Sequence, residues 1–300
     1  MTIIPLHLMN NKAHSIPSKQ YGSLWMLVAA FGFATMGALV KIGSAKFSSA
    51  ELVFYRSLFG FIMIFVLIRI KKLPIQTPHV NKQIVRALLG FFALLLFFYA
   101  IAHLPLATAI TLNYTSPLFL AVFMPFMLHE KPKKILYLAL LVSFVGIVLL
   151  LKPSFASQDL FAGLAGLCSG LGAGLAYLHV KQLGNLREPD WRTVFYFTFI
   201  STIGAGIWML FDKVSSVEWQ DLSVLIGLGA SATIAQLALT RAYRTGKTLS
   251  VASLSYATVV ISSFFGVLFW GEHLSSSEWV AIGLIITSGI ISIYSTQTIK

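Results

Sequence analysis

Residues 84–103 read IVRALLGFFALLLFFYAIAH, and after Leu104 residues 105–128 continue as PLATAITLNYTSPLFLAVFMPFML. A hydrocarbon core about 30 Å thick is crossed by about 20 helical residues rising about 1.5 Å each, so either run is long enough to span it. Neither run alternates polar with apolar residues as a barrel strand does. Lipid supplies no partner for an open backbone, so both runs are helices. The reading extends in both directions. Apolar stretches at about 22–42, 50–70, 84–103, 105–128, 134–151, 159–180, 192–211, 222–243, 248–270 and 278–296 predict an all-α polytopic membrane protein of ten transmembrane helices.

Composition agrees. A mean hydropathy of +0.82 with 11% charged residues leaves too little polar surface for a soluble fold of 300 residues. The formal charge of +12 comes without the basic, aromatic-interleaved stripe of a nucleic-acid binder, and no nucleic-acid partner is expected. Its distribution is a topology signal instead. With the N-terminus in the cytoplasm, 17 of the 22 basic residues fall inside, Arg86 among them at the inner end of the third stretch. Only Lys41, Lys46, Lys152 and Lys213 fall outside, and Arg56 lies within a span. This asymmetry predicts cytoplasmic termini, with residues 1–21 as a cytoplasmic tail. The tail has no basic region followed by an apolar run and a cleavage site, so no cleaved signal peptide is expected. The single cysteine, Cys168, excludes a disulfide framework and reads as a small packing residue.

The chain also repeats itself. A shift of 142 pairs Tyr114 with Tyr256 and Glu130 with Glu272, and a shift of 140 pairs Gly32 with Gly172 and Lys41 with Lys181. Under the latter, Ala30 and Ala34 meet Gly170 and Gly174, small residues on helical stripes that let backbones approach. Two units result, 22–151 and 159–296. Each carries five helices, so the second enters the membrane from the opposite side as an inverted copy. That arrangement suits alternating access, with a substrate held near the midplane between the halves.

The fourth stretch runs from Ala107 through Asn113-Tyr114-Thr115-Ser116-Pro117 to His129-Glu130-Lys131, the ninth repeats its Tyr and Glu marks as Tyr256 and Gly271-Glu272, and Arg56 stands in Phe54-Tyr55-Arg56-Ser57 of the second. In these marks and in its ten spans the chain resembles the drug/metabolite transporter superfamily, specifically its EamA-like branch. The resemblance implies a carrier of the bacterial inner membrane with a central cavity, most often an exporter of amino acids or related metabolites; some relatives import, S-adenosylmethionine among their cargoes. Val259 stands where the first half has Pro117, so the halves are expected not to bend alike at that level.

Candidate substrate contacts follow from polar groups placed in apolar spans. Arg56 costs at least about 2.5–3.5 kcal/mol if left in lipid, so it faces protein or a watery cavity, either holding an anionic substrate or serving the structure. Pro117 cannot bond the carbonyl of Asn113, which frees a polar group beside the Asn113 amide and the Tyr114 hydroxyl. Tyr256 and Ser253 are the counterparts in the ninth stretch. Gln236 and Tyr99 add polar groups, each with an alternative: a helix-to-helix hydrogen bond for Gln236, an interfacial anchor for Tyr99. Tyr243 and Trp208 read as aromatic-belt residues. Glu130 and Glu272 suit helix N-termini, with a gating role as the alternative.

All ten acidic residues fall at or beyond span ends, which predicts a facilitator or exchanger rather than a strongly proton-driven pump. The histidines sit in tails or at span edges without converging, and no metal or other cofactor is expected. No HExxH, GxSxG or paired-aspartate motif supports an intramembrane enzyme, and no filter or charged pore stripe supports a channel. The expected partners are a small-molecule substrate and the bilayer, the chain being a monomer or weak homodimer.

Overall fold

A computed structural model describes residues 22–104, 106–153, 160–211, 214–271 and 273–297. The tail 1–21, Asp159 and Glu272 lie outside the described residues, and with them the expectations placed there. After a short 3-10 turn at Gly22–Leu24 come twelve α-helices among the described residues: α1 (Trp25–Gly43), α2 (Ser49–Ile70), α3 (Val80–His103), α4 (Leu106–Asn113), α5 (Ser116–Leu128), α6 (Lys134–Leu151), α7 (Leu160–Asn185), α8 (Asp190–Met209), α9 (Asp221–Thr245), α10 (Thr248–Leu254), α11 (Ala257–Trp270) and α12 (Ser276–Gln297). No strand occurs among them.

Nine spans among the described residues are long and apolar enough to cross a bilayer; α4–α5 and α10–α11 each form one of these. Their outward faces carry large apolar side chains, Phe126, Leu268 and Phe269 among them, as a lipid-facing surface requires. The helix that falls short is α8, 20 residues long, whose Thr193, Thr198 and Ser201 are buried against its neighbours. Its opposite face exposes Phe199, Ile203 and Ile207, so protein meets the hydroxyls and the apolar face is left for lipid.

Local chemistry sets the helix ends. Ser48 and Glu51 form a reciprocal capping box at the start of α2. At the other termini His129 and Lys152 take left-handed conformations, and Gly271 does the same at no steric cost.

The fourth and ninth stretches are both interrupted, at Tyr114–Thr115 and at Ser255–Tyr256. The expectation that the halves would differ here, for want of a proline at Val259, is therefore corrected. In the first half the Thr115 hydroxyl donates to Leu112 O at 2.5 Å; in the second the Ser255 hydroxyl donates to Ala252 O at 2.7 Å. A hydroxyl bonded back to a carbonyl three residues earlier competes with the helical ladder. The amides of Thr115 and Tyr256 then reach only three residues back, to Leu112 and Ser253. Two hydroxyls thus do what one proline was expected to do alone.

The helices pair as α1 with α9 and α3 with α7, α2 with α8, α6 with α12, α5 with α7 and α1 with α11. Contacts at the ends show that α2 and α8 run antiparallel. Glu51 at the start of α2 accepts the Ser215 amide (2.6 Å) just beyond α8, whereas Arg192 in the first turn of α8 donates to Pro74 O (2.7 Å) beyond the end of α2. The pair α6 and α12 is antiparallel too, since Lys133 before α6 reaches Ser295 O and Lys152 after it reaches Glu278 (3.2 Å).

Candidate functional site

The two interruptions meet in the middle of the fold. The Tyr256 hydroxyl donates to Tyr114 O at 3.2 Å, and the two rings lie 6.0 Å apart. In an unbroken helix Tyr114 O would take the Leu118 amide, but that amide turns to Thr115 O. The carbonyl released by one broken helix is thus satisfied by the other.

Close approach makes this meeting possible. A Cβ on Gly170 of α7 would stand 2.7 Å from Leu112 O, and one on Gly174 would stand 2.7 Å from Ser116 O. The glycine stripe of α7 therefore carries the α4–α5 break directly on its backbone. Beside it the Asn113 amide donates to Ser169 Oγ (3.1 Å), which donates to Gly166 O (2.6 Å). In the second half Ser253 bonds Ser143 of α6 (3.4 Å), and Ser143 bonds Ser288 of α12.

A second polar group of side chains lies where α2, α3, α7, α8 and α9 approach one another. Arg56 and Arg86 interact electrostatically with each other and with Tyr177 of α7. The Arg86 guanidinium covers the Phe197 ring at 4.2 Å, and the residue is 2% exposed. Its Nε and Nη1 have no hydrogen-bond partner among the described residues, nor do the Tyr243 hydroxyl and Ser201 Oγ. Tyr243 stacks on Tyr177 with centroids 5.4 Å apart. Gln236, on the same helix as Tyr243, is buried as well.

Of the residues expected to form a site, Tyr114 and Tyr256 touch. Asn113 joins them through α4, Ser253 is on the helix preceding Tyr256, Arg56 belongs to the second group, and Gln236 lies buried on α9 about two turns from Tyr243. Tyr99 is held elsewhere, at the C-terminal end of α3, stacked on His103 (4.1 Å) with Phe161 edge-on. Sequence reasoning missed Arg86, Tyr177 and Tyr243. Arg86 was counted among the cytoplasmic charges because the apolar run starts at Ile84, but the helix begins at Val80 and places it nearly two turns inside. The aromatic-belt reading of Tyr243 is corrected by its complete burial.

Carboxylates tie the ends. Glu188 accepts from Thr77, from Gln83 (3.3 Å) and from Arg192 (2.8 Å). Burial pushes its carboxyl up, but these hydrogen bonds outweigh that and hold it below the ordinary carboxylate value. Glu130 accepts the Thr248 hydroxyl (3.1 Å), bridging the connection after α5 to the start of α10.

This arrangement of buried polar groups between helices fits a carrier, and comparison with known proteins agrees. Residues 20–152 and 160–294 each match the EamA-like transporter family. The chain belongs to the EamA-like transporter family. As such it is a multi-pass membrane protein of the drug/metabolite transporter superfamily, a transporter and not an enzyme. The pseudopaline exporter of Pseudomonas aeruginosa is 33% identical over 277 residues, covering 92% of this chain and 96% of that protein. A riboflavin transporter of Vibrio cholerae is 24% identical, covering 89% and 91% respectively. A solved crystal structure shares the fold, with a TM-score of 0.82 at 17% identity over 94% of this chain and all of that one.

Proposed function

We propose that this EamA-like protein is a ten-span secondary transporter of the bacterial inner membrane. In this reading it moves a small amino-acid-like metabolite by alternating access, in the direction of export. The spans form two units, 22–151 and 159–296, inserted with opposite orientations and with both termini in the cytoplasm; α8 is the tenth span. The observation that carries this reading is that helices equivalent in the repeat run antiparallel, α2 with α8 and α6 with α12.

Packing adds support. A Cβ on Gly32 would meet Ala235 Cβ and Ser231 O, and one on Gly172 would meet Ala93 Cβ and Leu89 O. These neighbours correspond under the shift of 142 that relates the tyrosines (93 + 142 = 235; 89 + 142 = 231). A rocking motion between such halves exchanges which side is open. The Tyr114–Tyr256 contact lies where the halves meet, with Asn113, Ser253, Gln236 and Arg56 as the further substrate contacts and Tyr99 as a contact nearer one end. The protein works as a monomer or weak homodimer in the bilayer. Export as the direction rests on the similarity to the pseudopaline exporter.

Counterflow in liposomes loaded with amino acids, S-adenosylmethionine and riboflavin tests the reading. Saturable exchange of an amino-acid-like solute is expected. Uptake that never saturates, or single-channel conductance in a planar bilayer, would overturn it.

A further inference from the structure

Among the described residues the second polar group is cationic and holds no carboxylate. Arg56 on α2 and Arg86 on α3 stand on helices that both pack against α8, and among the described residues the groups that act on their charge are Tyr177 and, for Arg86, Arg56. Neither arginine makes an ion pair among the described residues. The carboxylates that do occur on these elements, Glu51, Asp190 and Asp221, stand at helix starts, where Glu51 is engaged by Ser215, Asp190 by Arg244 and Asp221 by Lys46. A buried Arg86 and a partly buried Arg56 that make no ion pair among the described residues are costly in an interior, and removing water from an unpaired charge is a loss that an incoming anion reverses. The Arg86 Nε and Nη1 and the Tyr243 hydroxyl supply partner-free donors for it.

Spacing bears on what kind of anion fits. Arg56 is seven residues from the start of α2 and fourteen from its end, and Arg86 is six residues from the start of α3, which follows through one connection. At about 1.5 Å per residue they stand about 21 Å and about 9 Å from that shared end, levels about 12 Å apart. Side chains that reach toward Tyr177 from those two levels offer their forks from two different helices. A solute with two acidic groups joined by a short chain can take one at each.

We propose that Arg56 and Arg86, with the Tyr177 and Tyr243 hydroxyls between them, form a two-point anion site that selects organic solutes carrying two carboxylates. This deepens the carrier reading above and rests on it for its physiological meaning. Each guanidinium offers a planar pair of N–H donors to one carboxylate, the geometry in which arginine outperforms lysine. The aromatic stack of Tyr177 and Tyr243 covers the chain between the acidic groups.

Binding is tested apart from transport, by the thermal midpoint of purified protein in detergent with added glutamate, 2-aminoadipate, glutamine or propionate. A ligand that binds only the folded state raises the midpoint with its concentration. Glutamate or 2-aminoadipate is expected to raise it at concentrations where glutamine and propionate do not. Arg56→Gln and Arg86→Gln are each expected to weaken that protection about tenfold or more, as loss of a charge-assisted two-pronged contact requires. Should Arg86→Gln not fold, Arg86→Lys keeps the charge, loses the fork, and is expected to weaken protection less. Equal protection by glutamate and glutamine, wild-type protection of the arginine variants, or no protection by either dicarboxylate would overturn the proposal. Failure of counterflow with protection intact would instead strike the carrier reading.

Discussion

At the scale of single residues, the tyrosine contact carries a measurable load. Tyr256→Phe removes one buried hydrogen bond to Tyr114 O and leaves the ring, so a stability loss of about 0.5–1.5 kcal/mol is expected from denaturation in detergent. Both Tyr256→Phe and Asn113→Ala are expected to slow counterflow without lowering membrane yield; unchanged rates in both would move the substrate contacts away from the helix breaks. Tyr256 stood out in the sequence because a tyrosine recurring 142 residues after Tyr114 is rare against an apolar background, and Asn113 because Pro117 cannot bond its carbonyl. Arg86 and Tyr243 were not: the apolar run begins only two residues before Arg86 although the helix begins at Val80, and hydropathy does not tell which way around its helix Tyr243 faces. Only the packing of α8 and α7 shows which way they face.

At the scale of elements, the glycine stripe of α7 sets a sharp contrast within one helix. Gly170→Ala forces a methyl onto Leu112 O and the Thr115 hydroxyl, whereas a methyl on Gly163 meets nothing within 4 Å. Gly170→Ala is expected to cost about 1–3 kcal/mol and to lower the yield of monodisperse protein, with Gly163→Ala close to wild type. The ends of α2 and α8 make a different demand. Glu188 holds its carboxyl below the usual 4.5 through Thr77, Arg192 and Gln83. A depressed value in the folded state means that its contribution is present above the unfolded pKa and lost as pH falls through the folded one. Thermal midpoints of wild type and Glu188→Gln are therefore expected to differ at neutral pH and to converge in acid; a constant difference would remove Glu188 from that role. The helices themselves were readable from apolar length almost to the residue at 134–151 and 248–270, where polar or conformationally special residues bound each run. The break at Ser255–Tyr256 was not, because a serine hydroxyl commits to its own backbone only in context.

At the scale of the whole molecule, two five-helix units that clasp a solute require that equivalent connections face opposite sides of the membrane. The positive-charge asymmetry pointed to that orientation, and α8 is the helix on which it turns, since among the described residues it is 20 residues long yet not among the nine helices apolar enough to count as spans. Energy coupling is a property of this scale as well. With its carboxylates at the helix ends, the protein is expected to show solute flux that does not track an imposed pH gradient at zero membrane potential; flux that follows the gradient would reveal a proton relay. Single cysteines at Ala45, Arg187 and Trp219 in a Cys168→Ala background, labelled with an impermeant maleimide before and after permeabilisation, address the inversion directly. All three sites are exposed. Inverted units label at Ala45 and Trp219 in intact cells and at Arg187 only after permeabilisation, whereas Ala45 and Arg187 labelling from the same side, or Trp219 joining Arg187, would contradict the inverted ten-span arrangement.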